Sequence, residues 1–290
     1  MSTLIAGFDA TDESTAALAW AAREAVRHGL VLRVVHVWQF QPYEGVDAGH
    51  RDVQDRWAHE TVGRAVAELA LRHPGLEVTA DVREGRAPEV LSEVAAAEAG
   101  TLVLGSRGQA SVVGFLLGSV GQRVIAETVR PVVLVRADDR ASGEAAGREV
   151  VVGQQGSPED SAPELGFAFE TAAARGASVR VVRAWSLPPV FAYSPGSLRL
   201  LDEAGGPEPF ERKALAEAVR PWRERFPDVP VVEHVEMGSA GQVLLAVAGR
   251  AQLMVVGRRV RRTSVGARIG SVAHGVLHHA ACPVAVVPPA

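Results

Sequence analysis

Thr101-Leu102-Val103-Leu104-Gly105-Ser106-Arg107-Gly108, then nine residues, then Gly118-Ser119, is the stretch on which the reading of this chain turns. A short apolar run of strand type ends at Gly105. A second glycine follows at Gly108, and a third stands directly before a helical pattern that opens at Ser119. A loop that wraps an anion must bring its backbone N–H groups close to it, and a Cβ obstructs that approach. The helix start adds unpaired N–H groups and the positive end of the helix dipole. Ser119 can add a hydroxyl donor and cap the helix. In an open α/β sheet such a loop lies at the carboxyl ends of the strands, where ligands bind at the topological switch point. The stretch reads as a phosphate-binding loop. A glycine-rich connection without a ligand is the plainer reading of the same residues.

The pattern returns in the second half of the chain. Val150-Val151-Val152-Gly153 matches Leu4-Ile5-Ala6-Gly7, Arg175-Gly176 matches His28-Gly29, and Val181 to Trp185 matches Val34 to Trp38. Gly238 matches Gly85, Gly257 matches Gly105, Gly270-Ser271 matches Gly118-Ser119, and Pro283 matches Pro131. Agreement in order and spacing at so long a period indicates two duplicated domains rather than a solenoid. We place them at residues 1–137 and 149–290, joined by a polar, small-residue linker over 138–148. The second copy is damaged: Val260 stands where the middle glycine belongs, and Gln155 where the first half has Asp9. The run Arg258-Arg259-Val260-Arg261-Arg262 supplies charge suited to phosphate and equally suits a solvated loop. Gly257, Gly270 and Ser271 are therefore the second, weaker candidate site.

Within the first half, valine-rich runs alternate with helical patterns. Strands are expected at Leu4–Phe8, Leu30–Trp38, Leu76–Arg83, Thr101–Leu104 and Val132–Arg136. Helices are expected over Ala16–His28, Val53–Arg72, Pro88–Ala99 and Ser119–Val129. Thr11, Asp12 and Ser14 supply the first helix start, and Gly29 its stop. Such alternation predicts an α/β fold of two tandem doubly wound domains. Each has a five-stranded parallel sheet in the order 3-2-1-4-5 with helices on both faces.

Composition narrows the chemistry. The 290 residues are 47% hydrophobic with a net charge of −4, so no basic excess argues for nucleic acid. No apolar run is long enough to span a bilayer, and the N-terminus lacks a signal-peptide pattern, so a cytoplasmic location is expected. Cys282 is the only cysteine, which excludes an intramolecular disulfide and a cysteine-rich metal site. Lys213 is the only lysine, and no glycine precedes it, which argues against a Walker-type loop.

Asp9 is the second informative residue. It ends the first strand, beside the fourth in the expected order, where a carboxylate can accept hydrogen bonds from a ribose or base. Starting the Thr11–Ser14 turn is the alternative role. Taken together, Gly105-x-x-Gly108-x9-Gly118-Ser119, the opening Gly7-Phe8-Asp9-Ala10-Thr11, His36-Val37 and Pro131-Val132-Val133-Leu134-Val135 resemble the universal stress protein family. The resemblance covers nearly the whole chain as two tandem domains. It implies ATP binding, with or without Mg2+, in members carrying this glycine motif. Carried over, Gly7, Asp9 and Val37 border the adenosine part, Val37 through its backbone. Gly105, Arg107, Gly108, Gly118, Ser119 and Val120 hold ribose and phosphates. A regulatory rather than enzymatic role in stress response or dormancy follows, with pairing of the two domains through their last strands and homodimerisation as further expectations. A slow ATPase or nucleotide transferase, and a ligand-free interaction scaffold, are the alternatives.

Other constellations are weaker. His274 and His278 lie one turn apart near His279 and Cys282, but a metal site needs three or four suitable ligands, so no metal site is assigned. No Gly-x-Ser-x-Gly elbow surrounds Ser106 or Ser119, and no catalytic residue is assigned.

Overall fold

The computed structural model describes residues 3–40, 48–98, 100–106, 118–137, 148–187, 206–258 and 269–289, with the side chains of 48–50 outside the described set. Among the candidate residues, Arg107 and Gly108 lie outside it, as do Val260 and most of the 138–148 linker. The described chain forms two compact units. Unit 1 comprises Met1–Gly143 with Pro283–Pro288, and unit 2 comprises Glu144–Cys282 with Pro289–Ala290.

Unit 1 runs β1 (Thr3–Gly7), α1 (Asp12–His28), β2 (Val31–Trp38), α2 (Ala48–Arg72), β3 (Val78–Glu84), α3 (Ala87–Ala97), β4 (Thr101–Ser106), α4 (Ser119–Glu127) and β5 (Val132–Arg136). Its parallel sheet is ordered β3-β2-β1-β4-β5, as expected. α2 begins at Ala48, ahead of the expected Val53, because the polar first turn carries no apolar periodicity. β1 is buried along its whole length, which is why it reads as a continuous apolar run instead of alternating. Ile5, Leu32, Val34 and Leu102 are fully buried, each worth about 1.5–3 kcal/mol of transfer free energy.

α1 shows how local sequence fixes an element. Thr11 caps it, its hydroxyl accepting from the Ser14 N–H at 3.2 Å. Asp12 and Glu13 occupy the first turn, where the dipole favours negative charge. Gly29 closes it at φ 62°, a left-handed conformation that only glycine adopts without a steric cost.

Unit 2 runs β6 (Glu149–Gly153), α5 (Ala162–Arg175), β7 (Val179–Trp185), α6 (Glu208–Arg225), β8 (Val231–Met237), α7 (Ala240–Val247), a 3-10 turn (Ala248–Arg250), β9 (Ala251–Gly257) and α8 (Ser271–His279). Its strands are parallel in the order β8-β7-β6-β9, the same winding as unit 1. Gly176 closes α5 at φ 60°, the counterpart of Gly29. The duplication thus extends to helix caps. The last strand, β10 (Val284–Val287), is grouped with unit 1, where it pairs antiparallel with β5 through Val284–Leu134, Ala285–Val133 and Val286–Val132. Among the described residues, no helix is long and apolar enough to cross a membrane.

Candidate functional site

The first βα turn of unit 1 leaves the buried sheet at Asp9. Phe8 still donates its N–H to Val35 O at 2.9 Å. Asp9 itself is exposed, and Oδ1 accepts the Thr11 hydroxyl at 2.6 Å and the Thr11 N–H at 3.2 Å. Its own N–H donates to Ser14 Oγ at 3.3 Å. Partial burial raises the Asp9 pKa. Hydrogen bonds from Thr11 and Ser14, with a favourable charge contribution from His36, outweigh that effect and hold the group below the usual carboxylate value. The two roles weighed for Asp9 are therefore compatible: it organises the turn and presents an ionised carboxylate at the strand end.

Between Asp9 and Thr11, Ala10 adopts φ 63°. A side chain in that region is uncommon and costs about 1–2 kcal/mol. His36, only 4% exposed, ties the turn to β2: its Nδ1 lies 2.7 Å from Phe8 O. Val37 follows, half-buried, in register with Arg83 of β3. Gly7 is buried in β1, and a Cβ there would lie 2.5 Å from Leu104 Cδ2.

Across the switch point, β4 lies beside β1, pairing Ala6 with Val103. Gly105 is glycine for a reason that differs from the one its loop suggests. A Cβ at Gly105 would lie 2.6 Å from both Glu13 O and Ser14 N, so the position is closed by the first turn of α1, not by the approach of a ligand. Gly118 behaves in the opposite way, with no atom of the described residues within 4 Å of a Cβ built there. It is the N-cap of α4, at φ −57° and ψ 149°, and among the described residues no side chain caps that helix. Ser119 is therefore not the cap but the first helical residue. Gly118, Ser119 and Val120 are all exposed, and they present uncapped N–H groups.

In unit 2, Gly270 repeats the geometry of Gly118 as the N-cap of α8, with Ser271 again the first helical residue. Gly257 ends β9, but its surroundings differ from those of Gly105. The Oε1 of Glu164 lies 2.8 Å from where a Gly257 Cβ would stand. Burial pushes the Glu164 pKa up to about 7, the nearby Asp160 adds to the rise, and a hydrogen bond from its own N–H opposes it. Among the described residues no cation pairs with it. Glu164, Gln154 and Arg183 were not legible as site residues. Each falls inside an ordinary helix or strand pattern, and the only signal was the alignment of Arg183 with His36. Among the described residues no group of three or more His, Cys, Asp or Glu side chains could hold a metal ion.

A doubly wound parallel sheet flanked by helices, built twice along the chain, defines an α/β protein of tandem domains. The chain belongs to the universal stress protein family, whose model matches residues 1–136 and again 147–288. A universal stress protein of Mycolicibacterium smegmatis is 32% identical to it, with 99% of this chain and 97% of that protein covered. Universal stress protein Rv2005c of Mycobacterium tuberculosis is 31% identical, with 98% and 96% covered. The crystal structure of a universal stress protein from Archaeoglobus fulgidus superposes with a TM-score of 0.70 at 17% identity, over 99% of this chain and 98% of that one, a likeness of fold.

Proposed function

We propose that this chain is a nucleotide-responsive regulator that binds ATP, with or without Mg2+, in unit 1. The observation that carries the reading is an ionised Asp9 at the end of β1, with the Gly118 helix start following the neighbouring strand β4. The carboxylate is an acceptor suited to ribose or base hydroxyl and amino groups. The α4 N-terminus offers backbone donors and a favourable dipole to phosphate. Gly118 keeps that approach clear, since nothing internal requires a glycine there. Arg107 and Gly108 complete the motif in the sequence and are assigned to the same ligand.

Occupancy changes function only through a difference in affinity between two conformations, so the nucleotide acts here as a signal in stress response or dormancy. A cytoplasmic location and assembly into homodimers belong to the same reading. Fast turnover is not part of it. The Asp9 carboxylate at the strand end is already engaged by Thr11.

Calorimetric titration of the full chain with ATP and Mg2+, beside Gly118→Glu, tests the proposal. Saturable binding that the variant loses, at an unchanged melting temperature, supports it. Absence of saturable heat in the wild type, repeated at a second temperature and by a ligand-shift melt, removes it and favours a ligand-free scaffold. Phosphate release above the buffer background would redirect the reading to a slow ATPase.

A further inference from the structure

The two first turns can be compared residue by residue, because the sheet registers coincide. Phe8 N–H donates to Val35 O, and Gln154 N–H donates to Val182 O at 2.8 Å. Gln154 therefore stands where Phe8 stands, Gln155 where Asp9 stands, and Arg183 where His36 stands. In unit 1 the shorter His36 ring has Nδ1 at Phe8 O and meets the Trp57 ring of α2 edge-on, centroids 6.2 Å apart, without a charged contact to that helix among the described residues.

Arg183 does something different. Its Nη1 donates to Gln154 Oε1 at 2.7 Å and to Gly156 O at 3.2 Å, while its Nε donates to Glu211 Oε2 of α6 at 2.5 Å. The Gln154 side chain, 3% exposed, is locked in turn by donating Nε2 to Ser161 Oγ and Gly156 O, both at 3.2 Å. The guanidinium thus bridges from α6 to the turn that follows β6, over the carboxyl end of the sheet. Beyond that turn, toward β9, lies the carboxyl group of Glu164, 8% exposed and set against Gly257. In unit 2 the turn after β6 is thus crossed by the unit's own side chains.

We propose that Arg183 is a built-in plug: by bridging Glu211 and the Gln154–Gly156 turn it closes the crevice of unit 2 to adenosine and confines nucleotide to unit 1. An entering nucleoside must displace three donor contacts, one of them to a carboxylate, and strand the polar groups they satisfied. Its phosphates would also approach the carboxyl group of Glu164, which stands against Gly257. The inference rests on the proposed function of unit 1.

The test is the stoichiometry of ATP with Mg2+ on three full-length proteins: wild type, Gly118→Glu, and Gly118→Glu carrying Arg183→His and Glu164→Gln. One site per chain in the wild type, none in Gly118→Glu, and one regained site in the opened variant, with at least a tenfold gain in affinity, is the expected result. Two sites in the wild type, a surviving site in Gly118→Glu, or no gain in an opened variant that melts cooperatively would overturn the plug. A wild type that binds no ATP removes the reading of unit 1 instead. The plug then stands only if the opened variant gains binding that the wild type lacks. Should the opened variant fail to fold, Glu211→Gln in the Gly118→Glu background releases the guanidinium with little change of shape. It is judged by the same gain or its absence.

Discussion

The Thr11 hydroxyl donates to Asp9 Oδ1 at 2.6 Å while accepting the Ser14 N–H at 3.2 Å, so one side chain both fixes the candidate ligand carboxylate and starts α1. Thr11→Val removes both contacts. The loss of the cap is expected to cost about 1–2 kcal/mol of stability, visible as a lower denaturant midpoint. The Asp9 pKa is expected to rise, followed by carboxyl NMR titration. The depressed Asp9 pKa stabilises the fold fully above the ordinary carboxylate range, and this contribution is lost as pH falls through the lowered value. Thr11→Val should therefore flatten the acid limb of the stability profile. An unchanged limb would show that Thr11 does not hold the carboxylate.

Gly105 and Gly118 belong to one motif yet should respond oppositely to alanine. At Gly105 the new methyl group meets the backbone of Glu13 and Ser14, neither of which is a flexible side chain end. A loss of about 1–3 kcal/mol is expected there from overpacking. At Gly118 none of the described residues stands near the new methyl group and φ is ordinary, so stability should stay within about 0.5 kcal/mol while ATP affinity falls. Chemical denaturation of the two variants, read beside ATP titration, separates the roles. Equal destabilisation of both would contradict the distinction.

Ala10→Gly should stabilise the protein. The position sits at φ 63°, and glycine removes a steric cost of about 1–2 kcal/mol at the expense of some chain entropy. A net gain of about 0.5–1 kcal/mol, seen as a higher midpoint in urea, is the expected result. A loss of stability would mean that the alanine side chain contributes more than its backbone strain costs.

Glu164 makes the stability of the protein depend on pH near neutrality. Its folded pKa, about 7, lies above the unfolded value near 4.5, so between these values the folded state binds more protons than the unfolded one. Stability therefore falls as pH rises from about 4.5 to 7 and levels off above. The full span is on the order of 3 kcal/mol at 1.36 kcal/mol per pKa unit. Glu164→Gln should remove that slope and leave the variant more stable than the wild type at pH 8. Urea denaturation at pH 5, 6, 7 and 8 measures it, and parallel profiles for the two proteins would exclude the assignment.

Much of this architecture was legible before any coordinates, for reasons that individual residues make plain. The apolar runs ending at Gly7 and Gly105 declared buried parallel strands, because a strand covered on both faces has no polar face to alternate with. Gly29 and Gly176 marked helix ends, since a left-handed cap has a strong residue preference. The start of α2 was missed because its first turn carries no periodic signal. The residue type of Ser119 suits a cap, whereas the backbone gives that place to Gly118. The candidate site was legible in part: Asp9 and Gly118 stood out, but the reason for Gly105 did not. A close approach by Glu13, from far earlier in the chain, leaves no mark in the residues around a glycine.

The sequence by itself determined the duplicated α/β plan, the strand order and the likeness of one glycine loop to a phosphate cradle. Residue type, spacing and period carry that information locally. Only the tertiary structure decided which glycines are closed by packing and which stand open. It also joined Arg183 to Gln154 and Glu211 and set Glu164 against Gly257. Those four residues come from separate elements. They meet only when β6, β7, α5 and α6 pack, and what a side chain can do there depends on neighbours that the linear order does not reveal.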